Sequence, residues 1–403
     1  MNIGIEAQRI FRKNKHGMDY VVLQEIRELQ RMDKKNHYYV FVRPGEDRCL
    51  KSSKRVHIVE INCPSYALWE QWALPRAVRK YNLDLLHCTS NTAPIRCSVP
   101  LILTLHDIIF LEPRNNKNTS FYQNLGRIYR RFVVPRILDK CRRIITVSHF
   151  EMENIIQQLQ IPRDRMAMIY NGYNDWFKPQ NKATHTQSES SNINFQFSIF
   201  LATPHSDPRS ENFQFKSSGY FFFLGNTDPK KNTERTLVAY ARYLEQSLIQ
   251  RPLLMADLDK SYLNGIIRRN HIEHIREHIQ MPGYIVNSEL PAIYHHAFAF
   301  LYPSLRESFG IPLLEAMACG TPVITSNTSS MPEIAGPDAI LINPESAEDI
   351  TRMMLRLETD STFYERQKAV GLERAKLFSW QKTATQLLQL YEEEVAKLEA
   401  LKA

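Results

Sequence analysis

The chain has 403 residues, of which 43% are hydrophobic and 23% are charged, a composition typical of globular domains. No apolar run approaches the ~20 residues that a helix needs to cross a bilayer. The N-terminal stretch also lacks the apolar core and the small-residue cleavage site of a signal peptide. We therefore expect a cytoplasmic protein, and its length favours two domains or more over one.

Charge is distributed unevenly along the sequence. The first 178 residues contain 29 Lys and Arg against 17 Asp and Glu, whereas the remainder is slightly acidic. A basic half suggests an anionic partner, for which nucleic acid, an anionic membrane surface and a phosphorylated lipid are candidates, or it simply keeps the protein soluble. The six cysteines show no Cys-x-x-Cys spacing, so we expect free thiols and neither a metal site nor a redox pair.

In the first half, short apolar runs alternate with amphipathic helical patterns. This alternation indicates βαβ units and a mostly parallel sheet that is covered on both faces. The predicted strands span residues 2–7, 37–42, 56–61, 83–88, 101–107, 143–148 and 166–171. The predicted helices span residues 19–32, 67–81, 120–141 and 149–159.

The pattern is interrupted at residues 178–218, which are rich in Ser, Asn, Gln, Thr and Pro. We expect a linker or mobile insertion here, in which only the apolar run 195–201 resembles a strand. Alternation then resumes, with predicted strands at 220–225, 253–258, 279–285, 298–303, 322–326 and 339–342. Helices are predicted at 232–247, 289–295, 311–319 and 347–357, followed by a helical tail from residue 361.

The sequence thus predicts an α/β protein with two doubly wound, Rossmann-like domains that face each other across a cleft. The first domain is expected at residues 1–177 and the second at 219–378, separated by the insertion at 178–218. Residues 379–403 are expected to form a C-terminal helix that packs back towards the first domain. In such folds, ligands bind outside the carboxyl ends of the strands.

The strongest functional signal is the segment SLRESFGIPLLEAMACG at 304–320. It follows an apolar strand and opens a helix at 309–311, where backbone N–H groups favour an anion. Glu307 and Glu315 lie eight residues apart, and both are expected to point into one crevice. Carboxylates beside an anion suggest that they hold hydroxyls, which a sugar and a ribose flanking a diphosphate would offer. The alternative, an ordinary amphipathic helix, would leave Glu315 without a partner in an apolar run.

This segment resembles the E-x7-E signature of the family-4 retaining glycosyltransferases, which have the GT-B fold. The resemblance covers most of the chain. FLGNTDPKKN at 223–232 is similar to the family's phosphate-binding turn, and TLHDI at 104–108 is similar to its central active-site strand. Further similar segments, in the family's order, are residues 146–175, 283–304, 326–336 and 378–393.

The resemblance implies how a sugar nucleotide is bound. Lys231 would bind the donor pyrophosphate as a point charge, together with the amides of Phe309, Gly310 and Ile311. Glu307 would orient the sugar hydroxyls and Glu315 those of the ribose. No metal takes part in this scheme.

Four further residues receive roles from the resemblance. His106, at the end of a predicted strand, would contact the reacting sugar and count with Glu307 as catalytic. Gly17 would let a helix N-terminus approach donor and acceptor, although the family often has a glycine pair there. Tyr284 and Ile285 match the segment whose backbone meets the base ring.

The sequence departs from the family pattern at two turns. Asn226 is a donor-binding position at which many members have Arg, so one phosphate cation is missing, and Arg235, Arg306 or another residue would have to compensate. Asp257 stands where members usually have a Val-Gly turn, which puts the contacts to the base in question.

The resemblance implies retaining, metal-independent transfer of a hexosyl group, mannosyl in the first instance, from a nucleoside diphosphate sugar. The expected acceptor is a saccharide or lipid-linked saccharide of polysaccharide biosynthesis, bound by the first domain, and no cofactor is expected beyond the nucleotide sugar. The alternatives are a non-catalytic sugar-nucleotide-binding relative in an assembly complex and another enzyme of this fold, such as a phosphorylase or an epimerase. No recognition motif supports nucleic-acid binding.

The predicted helix 120–141 suggests peripheral contact with the cytoplasmic face of an anionic membrane. Three arginines recur at helical spacing and share a face: Arg127, Arg130 and Arg131. Four apolar residues are expected to form the buried side of the same helix: Leu125, Ile128, Phe132 and Val133.

Overall fold

The computed structural model of the chain describes residues 1–13, 15, 17–112, 121–180, 195–201, 209–215 and 219–402. The chain forms two compact units. The first unit consists of Met1–Gly172 together with Ser379–Ala403, and the second consists of Tyr173–Phe378.

The first unit is built on a seven-stranded parallel sheet. Its strands are β1 (Asn2–Glu6), β2 (His37–Val42), β3 (Val56–Glu60), β4 (Leu85–Cys88), β5 (Leu101–Thr104), β6 (Cys141–Thr146) and β7 (Met166–Met168). Its connecting helices are α1 (Gly17–Met32), α2 (Tyr66–Leu68), α3 (Leu74–Val78), α4 (Phe121–Ile137) and α5 (His149–Leu159). The strand order β3-β2-β1-β4-β5-β6-β7 reverses direction between β1 and β4, as in doubly wound folds.

The second unit contains an antiparallel hairpin and a six-stranded parallel sheet. The strands are β8 (Phe195–Leu201) and β9 (Arg209–Phe215) in the hairpin, then β10 (Tyr220–Leu224), β11 (Leu253–Ala256), β12 (Ile279–Gly283), β13 (Ala297–Tyr302), β14 (Val323–Ser326) and β15 (Ile340–Ile342). The helices are α6 (Thr233–Gln246), α7 (Lys260–Asn270), α8 (Leu290–His296), α9 (Ile311–Ala318), α10 (Met331–Ala335), α11 (Ala347–Thr359) and α12 (Ser361–Ala375). The sheet order β12-β11-β10-β13-β14-β15 reverses between β10 and β13. The two sheets confirm the predicted pair of doubly wound, Rossmann-like domains.

The last helix, α13 (Trp380–Lys402), belongs to the first unit although it ends the chain. Its side chains at 384, 387 and 391 are completely buried in the same apolar core as β1. The Tyr391 hydroxyl hydrogen-bonds Nδ1 of His87 at 2.7 Å, and Nε2 of that imidazole meets Oγ1 of Thr104 at 2.7 Å. Burial lowers the pKa of His87 to about 3, so the ring stays neutral inside this core.

The helix predicted at 67–81 is interrupted in the structure. Between α2 and α3 the backbone forms a π-helical turn at Trp69–Ala73, and the N–H of Leu74 bonds the carbonyl of Trp69, five residues back. Pro75 explains the interruption, because a proline has no N–H to bond the carbonyl four residues earlier.

The sequence analysis missed three elements, which are helix α7, the short helix α10 and strand β9. Helix α7 was not predicted, although Asp259 caps it by accepting hydrogen bonds from the N–H groups of Ser261 and Tyr262. The insertion was expected to be a linker with one strand-like run, whereas β8 pairs with a second strand, β9, whose sequence RSENFQF is largely polar.

The expected orientation of α4 is wrong for three of its four apolar residues. Leu125, Ile128 and Phe132 are 55%, 65% and 52% exposed, and only Val133 is buried as expected. Nε of Arg127 and Nε of Arg131 both donate to the carbonyl of Phe110, at 2.8 and 2.9 Å. These two arginines therefore face the protein, and the apolar stripe is left outside. No helix in the described part of the chain is both long and apolar enough for a membrane crossing.

We expect Glu25→Gln to stabilise the protein at neutral pH. Glu25 is buried on α1, and burial raises its pKa to about 8. The unfolded chain ionises this group near pH 4.5 but the native state does not, so the wild type loses stability as pH rises from there towards 8. The variant should gain ~1–3 kcal/mol in the free energy of unfolding at pH 7 and nothing at pH 4, measured by denaturant titration. An equal effect at both pH values would contradict this assignment.

The turn before α9 provides a second test of stability. Gly310 has φ of +94°, and a Cβ atom there would lie 2.7 Å from Cε of Met331. Gly310→Ala should lower the free energy of unfolding by ~1–3 kcal/mol, because an L-residue is strained in this conformation. Gly17→Ala is the matched control, since the added Cβ would have no described atom within 4 Å and φ lies outside the left-handed region. Equal thermal stability of the two variants would show that the turn is not strained.

Candidate functional site

The carboxyl edge of the second sheet gathers most of the residues that the sequence analysis selected. Because the strands are parallel, the loops after them all emerge at one edge. Asn226 and Lys231 follow β10, and residues 307–311 follow its neighbour β13, on the two sides of the strand-order reversal. Tyr284 and Ile285 follow β12, two strands away.

Lys231 and Glu307 form an ion pair at this reversal. Nζ of Lys231 donates to Oε1 of Glu307 at 2.5 Å, and the two side chains are 25% and 12% exposed. The same Nζ lies 5.3 Å from the ring centre of Tyr302, the last residue of β13. The Tyr302 hydroxyl is also hydrogen-bonded to the Glu307 carboxylate. The sequence analysis gave Tyr302 no role, since it ends an apolar strand and looks like a core residue.

The electrostatic surroundings keep Glu307 charged. Burial alone would raise its pKa, but the positive charges of Lys231 and Lys230 and hydrogen bonds from Lys231 and Ser304 outweigh burial, so the pKa of Glu307 lies below its ordinary value. At neutral pH the carboxylate is ionised and can accept several hydrogen bonds.

The backbone of Glu307 is fixed by a serine pair in the loop after β14. The N–H of Glu307 donates to Oγ of Ser329 at 2.9 Å, and its carbonyl accepts from the hydroxyls of Ser329 and Ser330. Ser329 has φ of +62°, an uncommon conformation for a non-glycine residue. Both serines belong to the family-like segment 326–336, so this segment helps to position the glutamate.

Helix α9 begins directly after the left-handed Gly310. Phe309 is buried and packs edge-on against Phe378, with ring centres 5.9 Å apart. Ile311 is the first helical residue, so the N-terminal N–H groups of α9 point towards the carboxyl edge of the sheet. This arrangement can stabilise an anion next to Lys231.

Glu315 lies in the second turn of α9 and is half-buried. Burial raises its pKa to about 8, so it is protonated at neutral pH, unlike Glu307. Burial keeps the pKa of Tyr294 on α8 well above its ordinary value, and the Glu315 carboxylate adds to this effect once it is ionised above pH about 8. The two glutamates of the E-x7-E segment therefore differ in protonation.

The turn after β10 contains Asn226 at the position where the family pattern has an arginine. Asn226 serves the turn itself: its Oδ1 accepts from the N–H of Asp228 at 2.8 Å. Arg235 donates to Oδ1 of Asn232, the last residue of this turn segment, at 3.0 Å and to the carbonyl of Pro344 at 3.2 Å. Arg306 contacts the carbonyl of Glu307 at 3.2 Å, and Lys230 adds its positive charge to that of Lys231 next to Glu307.

The turn after β11 forms without the family's usual glycine. Asp257 itself adopts the left-handed conformation, with φ of +60°, and its N–H donates to the carbonyl of Gly283 at 3.0 Å. Aspartate tolerates this conformation better than most residues. In the loop after β12, Ile285 is buried, whereas the side chain of Tyr284 is half exposed.

In the first unit, His106 lies just beyond the end of β5 and is buried. Its Nε2 bonds the carbonyl of Thr89 at 3.0 Å, so Nε2 carries the proton in the neutral ring. Its backbone N–H donates to Oδ1 of Asn91 at 2.7 Å. Burial lowers the pKa of His106 more than the nearby carboxylate of Asp107 raises it, which keeps the imidazole neutral.

A buried glutamate near the same edge was not found by the sequence analysis. Glu70 lies in the π-helical turn and accepts hydrogen bonds from the hydroxyls of Tyr66, Thr92 and Tyr129, at 2.9, 2.5 and 2.6 Å. The pKa of Glu70 is raised by burial, against the effect of these donors.

Gly17 is exposed at the start of α1, with no described atom close enough to require a glycine.

The described residues include no group of three or more His, Cys, Asp or Glu side chains placed to hold a metal ion.

Two family models match the sequence. The model described as Glycosyltransferase Family 4 matches residues 16–176, and the model described as Glycosyl transferases group 1 matches residues 207–374. The first model covers the sheet of the first unit apart from β1, and the second covers the six-stranded sheet of the second unit.

Individual proteins are similar to this chain in sequence or in fold. The O-antigen chain mannosyltransferase B of Escherichia coli is 28% identical over 327 residues, or 80% of this chain and 76% of the relative. The serotype-specific mannosyltransferase WbdA of Escherichia coli is 29% identical over 64% of this chain, which spans only 29% of that longer relative. The solved structure of Alr3699/HepE from Anabaena, in complex with UDP and glucose, has a TM-score of 0.67 and 13% identity, and the match covers 98% of this chain and 100% of that one. The chain belongs to the family-4 glycosyltransferases of the GT-B fold.

Proposed function

We propose that this glycosyltransferase transfers a hexosyl group from a nucleoside diphosphate sugar to a saccharide or lipid-linked saccharide acceptor, with retention at the anomeric carbon and without a metal ion. The ion pair between Lys231 and Glu307 at the strand-order reversal of the second sheet carries this proposal. It places a cation for a phosphate and a carboxylate for sugar hydroxyls side by side.

The donor diphosphate would be bound by two kinds of positive charge. Nζ of Lys231 offers a formal charge, and the first N–H groups of α9, at Phe309, Gly310 and Ile311, offer the positive end of a helix dipole. When the diphosphate binds, Lys231 gains a second anionic partner in addition to Glu307. Asn226 would serve this site by shaping the turn that presents Lys231.

The two glutamates would act in different protonation states. Ionised Glu307 accepts hydrogen bonds from the sugar hydroxyls and so orients the anomeric carbon. Glu315, protonated below pH about 8, can both donate to and accept from a ribose hydroxyl. Tyr284 and Ile285 would border the base, with the buried Ile285 fixing the loop.

In the transfer step, the bond from the anomeric carbon to the diphosphate oxygen breaks and a bond to the acceptor oxygen forms on the same face. The acceptor proton passes to the departing diphosphate, whose charge Lys231 and the α9 amides stabilise. Neutral His106, held by Thr89 and Asn91, would contact the sugar. Gly17 would leave room for donor and acceptor at the start of α1.

The names of the relatives favour a mannosyl donor and an O-antigen type of acceptor, because two of them are called mannosyltransferases and one is an O-antigen chain enzyme. The first test is a thermal-shift and transfer assay with GDP-mannose, UDP-glucose and UDP-galactose. A bound donor raises the apparent melting temperature. We expect GDP-mannose to do so and to yield labelled product, and stabilisation by none of the three would refute the donor assignment.

We expect Lys231→Ala and Glu307→Gln each to lower turnover at least ~10-fold, since a charge-assisted hydrogen bond contributes ~1.5–3 kcal/mol. Lys260→Ala, an exposed lysine at the start of α7, is the matched control and should keep full activity. Lys231→Ala alone leaves a carboxylate without its cation, so Lys231→Ala/Glu307→Gln should melt at a higher temperature than Lys231→Ala while remaining inactive. Wild-type turnover in either single variant would remove that residue from the mechanism.

Turnover should persist in the presence of EDTA, because Lys231 and the α9 N-terminus are proposed to neutralise the diphosphate. The assay compares initial rates before and after exhaustive chelation. Loss of activity that manganese or magnesium restores would contradict metal independence while leaving the donor assignment intact.

A further inference from the structure

Two helical segments of the first unit carry large apolar side chains on their outer surface. Leu68 and Trp72, at the end of α2 and in the π-helical turn, are 52% and 55% exposed. Leu125, Ile128 and Phe132 of α4 are equally exposed. We call these five residues the outer apolar surface.

The two segments are neighbours. Nε2 of Gln71 donates to the hydroxyl of Tyr129 at 2.9 Å, and this hydroxyl donates to Glu70 at 2.6 Å. Helical spacing places Leu68 one turn from Gln71, and it places Leu125 and Phe132 one turn on either side of Tyr129. The exposed side chains of both segments therefore flank one shared contact.

The exposed charged residues of the two segments that carry the outer apolar surface are all positive. The segments 66–80 and 121–137 contain seven basic residues: Arg76, Arg79, Lys80, Arg127, Arg130, Arg131 and Arg136. Their single acidic residue, Glu70, is buried and hydrogen-bonded inside the unit. A partner that binds this surface therefore contacts apolar side chains and positive charge together.

Two arginines lie directly on the exposed rings. The guanidinium of Arg76 is 3.6 Å from the ring centre of Trp72, and that of Arg136 is 3.7 Å from the ring centre of Phe132. An aromatic ring covered by a guanidinium matches the boundary between acyl chains and phosphate head groups, where aromatic and basic residues concentrate.

We propose that the outer apolar surface docks the first unit onto an anionic lipid bilayer. Charge complementarity selects this partner: apolar side chains enter the interface, and the surrounding arginines contact acidic head groups. This corrects the sequence-based expectation, because Arg127 and Arg131 bond the carbonyls of residues 110–112, and Leu125, Ile128 and Phe132 face outwards. The docking does not depend on the proposed donor or acceptor.

The test is co-sedimentation of the full chain with vesicles made of phosphatidylcholine and phosphatidylglycerol in equal parts, with no sugar nucleotide present. We expect binding at low salt, loss of binding at ~0.5 M salt, where exposed charges are screened, and no binding to pure phosphatidylcholine. Tryptophan emission should shift to the blue on binding, and Trp72→Phe should remove most of this shift.

Variants then separate the apolar and the charged contributions. Leu125→Gln/Ile128→Gln/Phe132→Gln should lower vesicle affinity at least ~10-fold, and Arg79→Gln/Arg130→Gln/Arg136→Gln should do the same at low salt, as each basic residue near the membrane contributes about fivefold. Leu248→Gln/Ile249→Gln is the matched control, because these residues are exposed apolar side chains of the second unit. All variants change exposed or half-buried positions, and unchanged melting temperatures will verify that they fold.

Absence of binding to the anionic vesicles at low salt would overturn the proposal. Wild-type vesicle affinity in both triple variants would also overturn it, as would an equal loss of vesicle affinity in the Leu248→Gln/Ile249→Gln control. If the wild type forms dimers that the apolar triple variant cannot form, and does not bind vesicles, the surface is a contact between two copies of this chain.

Discussion

Bringing the lysine of the DPKKN turn against the glutamate of the E-x7-E segment has a cost, because both groups lose much of their hydration. The structure offsets this cost locally: the Tyr302 hydroxyl and Lys230 support the carboxylate, and Ser329 and Ser330 fix its backbone. The pair aligns two loops that are 76 residues apart in sequence. In the proposed function, the glutamate also neutralises the lysine until the donor binds, so the cation is already in position for the diphosphate.

The parallel sheets determine where such a pair can form. Every loop after a strand emerges at one edge, and the reversal of strand order keeps helices from covering the gap between the two central strands. In the second unit these are β10 and β13, which precede Lys231 and Glu307 respectively. In the first unit, His106 likewise lies in a loop that follows a parallel strand, β5. Burial keeps this histidine neutral, and a backbone carbonyl and an asparagine hold it in position.

Periodicity located nearly all strands and helices, because buried parallel strands are continuous apolar runs and the helices carry clear apolar stripes. The two glutamates were selected from the segment that follows a predicted strand, and Lys231 was selected only because FLGNTDPKKN resembles the family's phosphate-binding turn. The expected buried stripe of α4 was wrong, because the orientation of this helix depends on Arg127 and Arg131 reaching the carbonyl of Phe110, a contact distant in sequence. The contacts of Ser329 and Glu70 could not be predicted either, because their partners are also distant in sequence. The turn at Asp257 forms without the family's usual glycine, because glycine is not the only residue that adopts a left-handed conformation.

The place of α13 has a consequence for how the protein is made. The core around β1 is completed by side chains from the last 25 residues of the chain, and the buried His87 bonds a tyrosine that lies 304 residues later. During synthesis, the apolar face of β1 and the ring of His87 stay exposed until α13 has been made. All strands of the second sheet, in contrast, are synthesised before α13. Synthesis from the N-terminus therefore allows the second unit to finish folding before the first, and a chain truncated before residue 379 would leave the first core permanently open.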